Sequence, residues 1–166
     1  MRTSTLDSPI GPLTLIADGG NVVAAGFTAD AQMLRARLPE PLSRQALEQV
    51  DSLDDVTDAA AAYLAGDIRA LDAIPVRHYG GGFMNATWAA LRRIPPGLPV
   101  TYSQLAADAA RPAAVRAAAA ACARNLIGPI VPCHRVVRRD GSLGGYYWGL
   151  PVKTWVLAHE ARSTAG

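Results

Sequence analysis

The hydrophobic pattern near the start of the chain is that of a β-hairpin. Two apolar runs, IGPLTLIA (10–17) and NVVAAGFT (21–28), flank the turn-forming sequence DGGN. Apolar runs of strand length on either side of a glycine-containing turn predict paired antiparallel strands. Helical spacing then predicts two helices, over 29–38 and 44–64. Residues 1–76 are therefore predicted to form a small α/β domain with an antiparallel sheet.

Three consecutive glycines mark the change from this domain to a second one. The segment 77–82, with the sequence RHYGGG, opposes any regular element and is interpreted as a linker. Residues 83–166 follow with helical spacing that is interrupted by proline- and glycine-containing turns, and they end in a helix predicted over 152–161. The fold class predicted is α/β (α+β), with two small domains.

A helix-turn-helix pattern lies within the second domain. Thr101 is a favourable N-cap for a helix over 102–110, and Gln104 completes a capping box. A tight turn at Arg111-Pro112 separates it from a second helix predicted over 113–124, and two short helices joined in this way are typical of the motif. The second helix is almost entirely alanine, so its backbone can approach another surface closely. That surface is either a nucleic-acid groove or a neighbouring helix.

The charge of the chain is distributed unevenly. Residues 1–110 carry a net charge of −4 and residues 111–153 carry +6, although the whole chain carries only +2. Halves of opposite sign indicate nucleic-acid binding, and a solvated basic face is the alternative. The N-terminus lacks the basic-then-apolar order of a signal peptide, and no apolar run has the length of a membrane-spanning helix. With two cysteines, which fit a reducing compartment, the chain is predicted to be cytoplasmic.

Candidate chemistry is concentrated in the segment VPCHRVVRRDG (131–141). A cysteine is nucleophilic as the thiolate, and a free thiol with a pKa of about 8.5 is mostly protonated at neutral pH. His134 adjoins Cys133 and could act as the base, oriented by a carboxylate such as Glu160 on the last helix. A thiol hydrolase would contain the same groups, and a buried cysteine is often inert. The pair alone therefore leaves the reaction open.

Taken together, the motifs resemble those of the O6-alkylguanine-DNA alkyltransferase family over nearly the whole chain. The matching segments are SPIGPLTL, FMNATWAALRRIPPG, TYSQLA, RPAAVRAAAAACARN, PCHRVVRRDGSLGGYYWGL and KTWVLAHE. The resemblance implies an N-terminal α/β domain and a C-terminal winged-helix-like domain that carries the helix-turn-helix and the active-site cysteine. It also implies direct repair of duplex DNA. Cys133 would take the alkyl group of a flipped-out O6-alkylguanine, and also of O4-alkylthymine, once and permanently.

The resemblance also implies roles for individual residues. His134, through a water, and Glu160 resemble the relay that deprotonates Cys133. Asn125 resembles the residue that holds the turn carrying this site. Tyr102 resembles the tyrosine that contacts the guanine ring and donates a proton to the leaving base.

Contacts with DNA and with the substrate are implied in the same way. Arg116 resembles the arginine that fills the place of the flipped base, on a helix that enters the minor groove. The expected DNA-binding residues are Arg111, Arg116, Ala117, Ala119, Ala120, Arg124 and Thr101, with Arg138 and Arg139 as further phosphate candidates. The expected substrate-pocket residues are Val136, Tyr146, Tyr147, Trp148 and Lys153. The bulk of Tyr147 and Trp148 predicts that a methyl group is accepted more readily than a benzyl group, and Arg135 is expected to support structure and not to bind DNA.

No metal and no cofactor are expected, because residues 1–77 contain neither cysteine nor histidine. The expected partner is double-stranded DNA containing O6-alkylguanine, bound by a monomer. The alternative is a non-catalytic protein that recognises alkylated DNA, but such relatives lack the acceptor cysteine. A winged-helix regulator would account for the helix-turn-helix but not for the PCHR sequence or for Glu160.

Overall fold

The computed structural model describes residues 1–164 and divides into two compact units. The first unit contains residues 1–79 together with a later segment, 126–130, and the second contains residues 80–125 and the chain from 131 onward. The return of 126–130 to the first unit is a feature that the sequence does not predict. None of the helices within the described residues is long and apolar enough to cross a membrane.

The first unit is built on a four-stranded sheet with the order β3-β2-β1-β4. Its strands are β1 (Arg2–Leu6), β2 (Leu13–Asp18), β3 (Asn21–Phe27) and β4 (Glu48–Gln49). The antiparallel pair β2–β3 confirms the hairpin predicted from the two apolar runs. The predicted antiparallel sheet is confirmed for β1, β2 and β3, and the short strand β4 adds a parallel pairing with β1 at one edge.

Strand β1 is missed by the hydrophobic pattern because two of its buried residues are polar. The Thr3 hydroxyl donates to the carbonyl of Leu15 at 2.8 Å, so this buried oxygen is satisfied inside the sheet. The Ser4 hydroxyl donates to the carbonyl of Asp51 at 3.0 Å. Buried hydroxyl groups are tolerated when they are hydrogen-bonded. The position of β1 in the sheet is therefore set by hydrogen bonds to its neighbours, and the hydrophobic pattern of the sequence does not reveal it.

Two α-helices, α1 (Ala31–Ala36) and α2 (Asp55–Ala65), complete the first unit. The helix predicted over 44–64 is wrong in its first half. In that half the chain joins the sheet edge as β4, and the backbone N–H of Glu48 donates to the carbonyl of Met1 at 3.0 Å. A backbone N–H that donates within a sheet cannot also form a helical hydrogen bond. Helix α2 therefore begins only at Asp55.

The second unit combines helices with a short parallel ladder. Its elements are α3 (Gly82–Leu91), β5 (Val100–Thr101), α4 (Tyr102–Asp108), α5 (Val115–Ala123), β6 (Val136–Val137) and α6 (Leu150–Thr164). Helices α4 and α5 confirm the two helices predicted for the helix-turn-helix. Helix α5 begins at Val115, later than predicted, because the N–H of Ala114 closes a turn on the carbonyl of Arg111 at 2.9 Å.

The start of α4 is held by the predicted capping box. Thr101 Oγ1 accepts from the backbone N–H of Gln104 at 3.2 Å, and the Gln104 side chain accepts from the N–H of Thr101 at 2.7 Å. Thr101 also ends β5, where it pairs with Val137 of β6. The capping box and the ladder together fix the place at which Tyr102 enters the helix.

Helix α5 is held by a tryptophan on α3. The indole N–H of Trp88 donates to the carbonyl of Ala121 at 2.9 Å, and Trp88 is buried. The ring of Trp88 also packs directly against Gly80, where a Cβ atom would lie only 2.5 Å from the ring. A buried indole with its N–H satisfied is a rigid contact. It therefore positions the last turn of α5, which leads into Asn125.

Helix α4 ends in a left-handed residue that is not glycine. Ala110 has φ +62°, the N–H of Ala110 donates to the carbonyl of Ala107 at 2.9 Å, and the N–H of Arg111 donates to the carbonyl of Ala106 at 2.9 Å. This pair of bonds is a Schellman motif, in which glycine is the usual left-handed residue. An alanine in this conformation is strained by its Cβ atom.

Replacing Ala110 by glycine is expected to raise the free energy of unfolding by about 0.5–1 kcal/mol, because the strain of the left-handed conformation is relieved. The measurement is urea-induced unfolding followed by circular dichroism. The matched control is Ala107→Gly, an exposed position within α4, where glycine should lower stability by about 1 kcal/mol. A loss of stability in both variants would contradict the assignment of strain to Ala110.

Candidate active site

The Cys133 thiol lies on a single turn of 3-10 helix, Cys133–Arg135, directly before β6. The side-chain amide of Asn125 donates to Cys133 Sγ at 3.2 Å and to the carbonyl of Val131 at 2.7 Å. Asn125 is buried and follows the end of α5, where its own N–H donates to the carbonyl of Cys122 at 3.2 Å. Helix α5 therefore sets the position of the sulfur through one amide group.

A buried carboxylate joins the two residues that follow the cysteine. Glu160 Oε1 accepts from Nε2 of His134 at 2.9 Å and from Arg135 at 2.9 Å, and its other oxygen accepts from Nε of Arg135 at 2.9 Å. Burial alone would raise the pKa of Glu160, but the hydrogen bonds and charges of His134 and Arg135 outweigh it and lower this pKa to about 2. Glu160 is therefore ionised, and its charge is balanced by Arg135.

The same arrangement determines the protonation of His134. Burial lowers the pKa of His134, and the hydrogen bond to Glu160 offsets this only in part, so the imidazole is neutral at neutral pH. Since Nε2 donates to the carboxylate, Nδ1 carries a lone pair. Within residues 1–164, no group accepts from or donates to this buried Nδ1 atom. The imidazole next to Cys133 thus has a free basic nitrogen.

Arg135 has a third partner besides the two oxygens of Glu160. Its Nη1 donates to the carbonyl of Ile94 at 2.6 Å, and the side chain is buried. All three contacts are with groups inside the protein. Arg135 thus holds Glu160, while the exposed arginines of this segment, Arg138 and Arg139, face solvent.

Burial raises the pKa of the Cys133 thiol above its ordinary value, although the hydrogen bond from Asn125 and the charge of Lys153 act in the opposite direction. The sulfur is therefore a protonated thiol in the free protein at neutral pH, and it requires a base before it can attack. Tyr102 is also protonated, since burial and the nearby cysteines raise the pKa of its phenol. It can donate a proton.

Lys153 is a fully buried cation on α6. Its ammonium donates to the carbonyl of Val136 at 2.7 Å, to the carbonyl of Gly145 at 3.3 Å and, through a shorter contact, to the carbonyl of Leu143. No ion pair of Lys153 occurs within the described part of the chain. Three carbonyl groups replace its hydration shell, and they tie the 143–145 segment to β6.

A cavity of about 380 Å³ opens onto the sulfur. It is lined by Tyr102, Ala119, Cys122, Ala123, Cys133, Gly145, Tyr146 and Tyr147. Two of the five predicted pocket residues, Tyr146 and Tyr147, are among these. Helix α5 supplies three lining residues of small volume, Ala119, Cys122 and Ala123.

The other three residues predicted to line the pocket do not do so. Val136 and Lys153 are fully buried and are not among the lining residues. The Lys153 ammonium donates to the Val136 carbonyl. Trp148 packs edge-on against Tyr147, with the ring centroids 4.8 Å apart. The lining residues missed from the sequence include Cys122 and Gly145. The only sequence signal for Cys122 was its place one helical turn before Asn125.

Gly144 lies in close contact with Tyr102, which lines the cavity. Gly144 has φ +67°, and a Cβ atom on it would lie 3.1 Å from the Tyr102 hydroxyl oxygen. The backbone of the 143–145 segment therefore lies closer to the phenol than any other residue type would allow comfortably.

The residues predicted to bind DNA differ in their exposure and in their positions relative to α5. Arg116, Ala117 and Ala120 are exposed on α5, and Arg124 is exposed directly after its last residue, while Ala119 is partly buried and lines the cavity. Arg116 and Arg124 lie about two turns apart at the two ends of this exposed face. Arg111 lies over the ring of Phe83, 5.5 Å from its centroid. Thr101 is partly buried and serves as the helix cap.

Residues 1–164 contain no group of three or more histidine, cysteine, aspartate or glutamate side chains arranged to hold a metal ion. The chemistry that the described residues support is that of a thiol, a neutral imidazole with a buried carboxylate, and a phenol.

Two family models together match most of the chain. The ribonuclease-like domain of 6-O-methylguanine DNA methyltransferase matches residues 1–78, and the DNA binding domain of the same enzyme matches residues 82–162. The chain belongs to the 6-O-methylguanine DNA methyltransferase family. The first match ends, and the second begins, close to the change of unit at residues 79 and 80, although residues 126–130 of the second match belong to the first unit.

Individual relatives agree with the 6-O-methylguanine DNA methyltransferase assignment. A methylated-DNA–protein-cysteine methyltransferase of Salmonella typhimurium is 36% identical over 159 residues, which cover 92% of this chain and 91% of that protein. An inducible enzyme of the same name from Bacillus subtilis is 40% identical over 131 residues, covering 79% of this chain and 71% of that protein. The crystal structure of Mycobacterium tuberculosis OGT in complex with DNA superposes with a TM-score of 0.81 at 30% identity, covering 98% of this chain and 94% of that chain.

Replacing Gly144 by alanine is expected to slow alkyl transfer, because the added Cβ displaces the Tyr102 phenol. The matched control is Gly141→Ala, which has a similar positive φ of +81° but no atom within 4 Å of its Cβ. Both variants should lose about 1–2 kcal/mol of stability through backbone strain. The measurements are urea-induced unfolding and the rate of transfer from methylated DNA. Equal transfer rates in the two variants would refute the role of this contact.

Proposed function

We propose that this protein repairs alkylated DNA by transferring the alkyl group to its own Cys133. Repair of DNA by alkyl transfer to a cysteine is the activity of the family to which the chain belongs. The observation that carries the assignment to Cys133 is the thiol at the floor of a cavity, next to a neutral imidazole that is paired with a buried carboxylate. A thiol beside an oriented base is the arrangement that nucleophilic transfer requires.

The proposed substrate is O6-alkylguanine in duplex DNA, and O4-alkylthymine is a second one. Both carry the alkyl group on an exocyclic oxygen that lies inside the base stack, so the base must leave the stack to meet Cys133. The cavity supports this proposal because Tyr102 and Tyr146 offer ring surfaces and α5 contributes only small side chains. A flipped base would then present its alkyl group to the sulfur.

The first step is removal of the thiol proton. A water between Cys133 Sγ and Nδ1 of His134 would pass the proton to the imidazole, whose other nitrogen already donates to Glu160. The imidazolium formed is stabilised by the carboxylate, and the thiolate by the amide of Asn125 and the positive charge of Lys153. The buried His134–Glu160 pair thus lowers the free-energy cost of forming a thiolate and an imidazolium in a site whose burial otherwise disfavours the thiolate.

The second step moves the alkyl group. An electron pair of the thiolate forms the S–C bond, and the pair of the C–O bond leaves with the guanine. The Tyr102 phenol donates a proton to a ring nitrogen of the leaving base, so that guanine departs neutral, and the phenolate is then reprotonated from the imidazolium or from solvent. Because a thioether has no facile leaving group, each molecule reacts once.

DNA binding is assigned to the exposed face of α5. The arginines at its ends, Arg116 and Arg124, are separated by alanines, which allow close approach to a minor groove. Arg116 would occupy the place of the flipped base, and Arg124 would contact phosphate together with Arg111, Arg138 and Arg139. Phosphate contacts of this kind do not depend on sequence. The protein would act on DNA as a monomer, in the cytoplasm.

The decisive test is the intact mass of the protein after incubation with a duplex that contains one O6-methylguanine. A gain of one methylene unit per molecule is expected, confined to the peptide that contains Cys133 and lost in Cys133→Ala. Tight binding to the same duplex without any gain in mass would identify the alternative, a protein that recognises alkylated DNA without repairing it. Repeated turnover would indicate a thiol hydrolase.

The rate of methyl transfer at saturating DNA is expected to be constant near neutral pH and to fall on the acid side. His134 accepts the thiol proton only when it is neutral, that is, above its pKa, and burial lowers that pKa below the ordinary value of about 6.5. The acid limb should therefore lie below pH 6.5. Glu160, with a pKa of about 2, stays ionised throughout this range. On acidification, a transfer rate that begins to fall while the pH is still above 7 would contradict His134 as the base. A transfer rate that rises on acidification would do the same.

A further inference from the structure

An exposed arginine between α4 and α5 is held by an aromatic ring and not by a carboxylate. The guanidinium carbon of Arg111 lies over the ring of Phe83, 5.5 Å from its centroid. Across residues 1–164 this guanidinium forms neither an ion pair nor a hydrogen bond, although Asp108 lies close to it in the chain. Because the Arg111 side chain is also exposed, its N–H donors are available to a ligand.

The backbone on both sides of this contact is fixed by hydrogen bonds. The N–H of Arg111 donates to the carbonyl of Ala106 at 2.9 Å, and the carbonyl of Arg111 accepts from the N–H of Ala114 at 2.9 Å. Phe83 lies in the first turn of α3, where its carbonyl accepts from the hydroxyl of Thr87 at 2.9 Å. Only the side chain of Arg111 is then left to be ordered, and the ring of Phe83 limits the positions open to it.

The start of α3 is held in place although it follows three glycines. The side-chain amide of Asn85 donates to the carbonyl of Gly80 at 2.9 Å, and the N–H of Asn85 donates to the carbonyl of Gly81 at 3.0 Å. A Cβ atom on Gly80 would lie only 2.5 Å from the ring of Trp88, so the backbone is packed directly on the indole. The predicted linker is therefore fixed at its end next to α3, and Phe83 is a firm support.

A cation held over an aromatic face is suited to binding a phosphate group. The ring attracts the positive charge of the guanidinium through its face, but it does not use the planar fork of N–H donors that matches phosphate geometry. A carboxylate partner would compete with a phosphate for those donors. Ordering a long side chain is part of the free-energy cost of binding, and the contact with Phe83 reduces that cost before DNA arrives.

We propose that Phe83 is a positioning residue for DNA binding, whose ring holds the Arg111 guanidinium in place for a phosphate of the duplex. Both residues lie in the segment that matches the DNA binding domain of the family, residues 82–162. Arg111 also opens the basic segment 111–153, which carries a net charge of +6. The contact precedes α5, the helix that the proposed function places on DNA, and this inference rests on that proposed function.

The test measures the affinity for an unmodified DNA duplex by fluorescence anisotropy over a series of salt concentrations. The proteins compared are wild type, Phe83→Leu, Phe83→Tyr, Arg111→Ala and the double variant Phe83→Leu/Arg111→Ala. Arg111→Ala is expected to reduce the slope of log K against log salt concentration by about 0.9, which corresponds to one phosphate contact. Phe83→Leu is expected to lower the affinity about two- to fivefold, the range of a cation–π contact at an exposed site, with the slope retained.

The double variant distinguishes positioning from a purely structural role. In the Arg111→Ala background, Phe83→Leu should cause no further loss of affinity, because no guanidinium remains to be held. Phe83→Tyr keeps an aromatic face and should bind as wild type does. The matched control for the loss of charge is Arg69→Ala, since Arg69 is exposed in the first unit and pairs with Asp72 at 3.8 Å. Its salt slope should equal that of wild type.

An unchanged salt slope in Arg111→Ala would overturn the proposal. An equal loss of affinity from Phe83→Leu with and without Arg111 would also overturn it, because Phe83 would then act only through the packing of α3. Thermal unfolding verifies that each variant is folded, and Phe83→Met replaces Phe83→Leu if leucine is not accommodated. A wild type that binds the duplex but takes no methyl group from O6-methylguanine would contradict alkyl transfer alone, whereas one that does not bind the duplex would refute both proposals.

Discussion

The carboxylate of Glu160, shared between His134 and Arg135, is the interaction on which the site depends. A buried carboxylate is costly unless its charge is balanced and its oxygens are hydrogen-bonded. Arg135 balances the charge of Glu160, and burial above all keeps His134 neutral, with one nitrogen available as a base. Without Arg135 the unbalanced carboxylate would raise the pKa of His134, and an imidazole that is already protonated cannot accept the thiol proton of Cys133.

Helix α6 supports the site with two buried charges of opposite sign. Glu160 organises the turn that contains Cys133, and Lys153, seven residues earlier on the helix, holds the 143–145 segment, which contributes Gly145 to the cavity. The same helix face therefore fixes both the reactive group and the wall that faces it. Asn125, which follows α5, donates a hydrogen bond to Cys133 Sγ. Helix α5 is itself held by the indole N–H of Trp88, which donates to the carbonyl of Ala121.

Local patterns predicted those elements whose hydrogen bonds are local. The β2–β3 hairpin and the capping box at Thr101 depend on residues close together in the chain, and both are confirmed. The prediction failed where a distant partner decides the backbone conformation. Strand β4 replaces the first half of a predicted helix because it pairs with β1, more than forty residues away. Hydrophobic periodicity contains no information about such a partner.

The sequence by itself determined the family, the pairing of a thiol with an imidazole and a carboxylate, and the basic character of the segment around them. These depend on residue type and spacing, which motifs preserve. Only the tertiary structure decided which side chains meet at the cavity. It buried Lys153 and Val136 away from the cavity, packed Trp148 against Tyr147, and brought Cys122 into the lining of the cavity that opens onto Cys133. The physical reason is that helix rotation and loop closure, set by buried contacts from distant residues, choose which face of each element a cavity exposes.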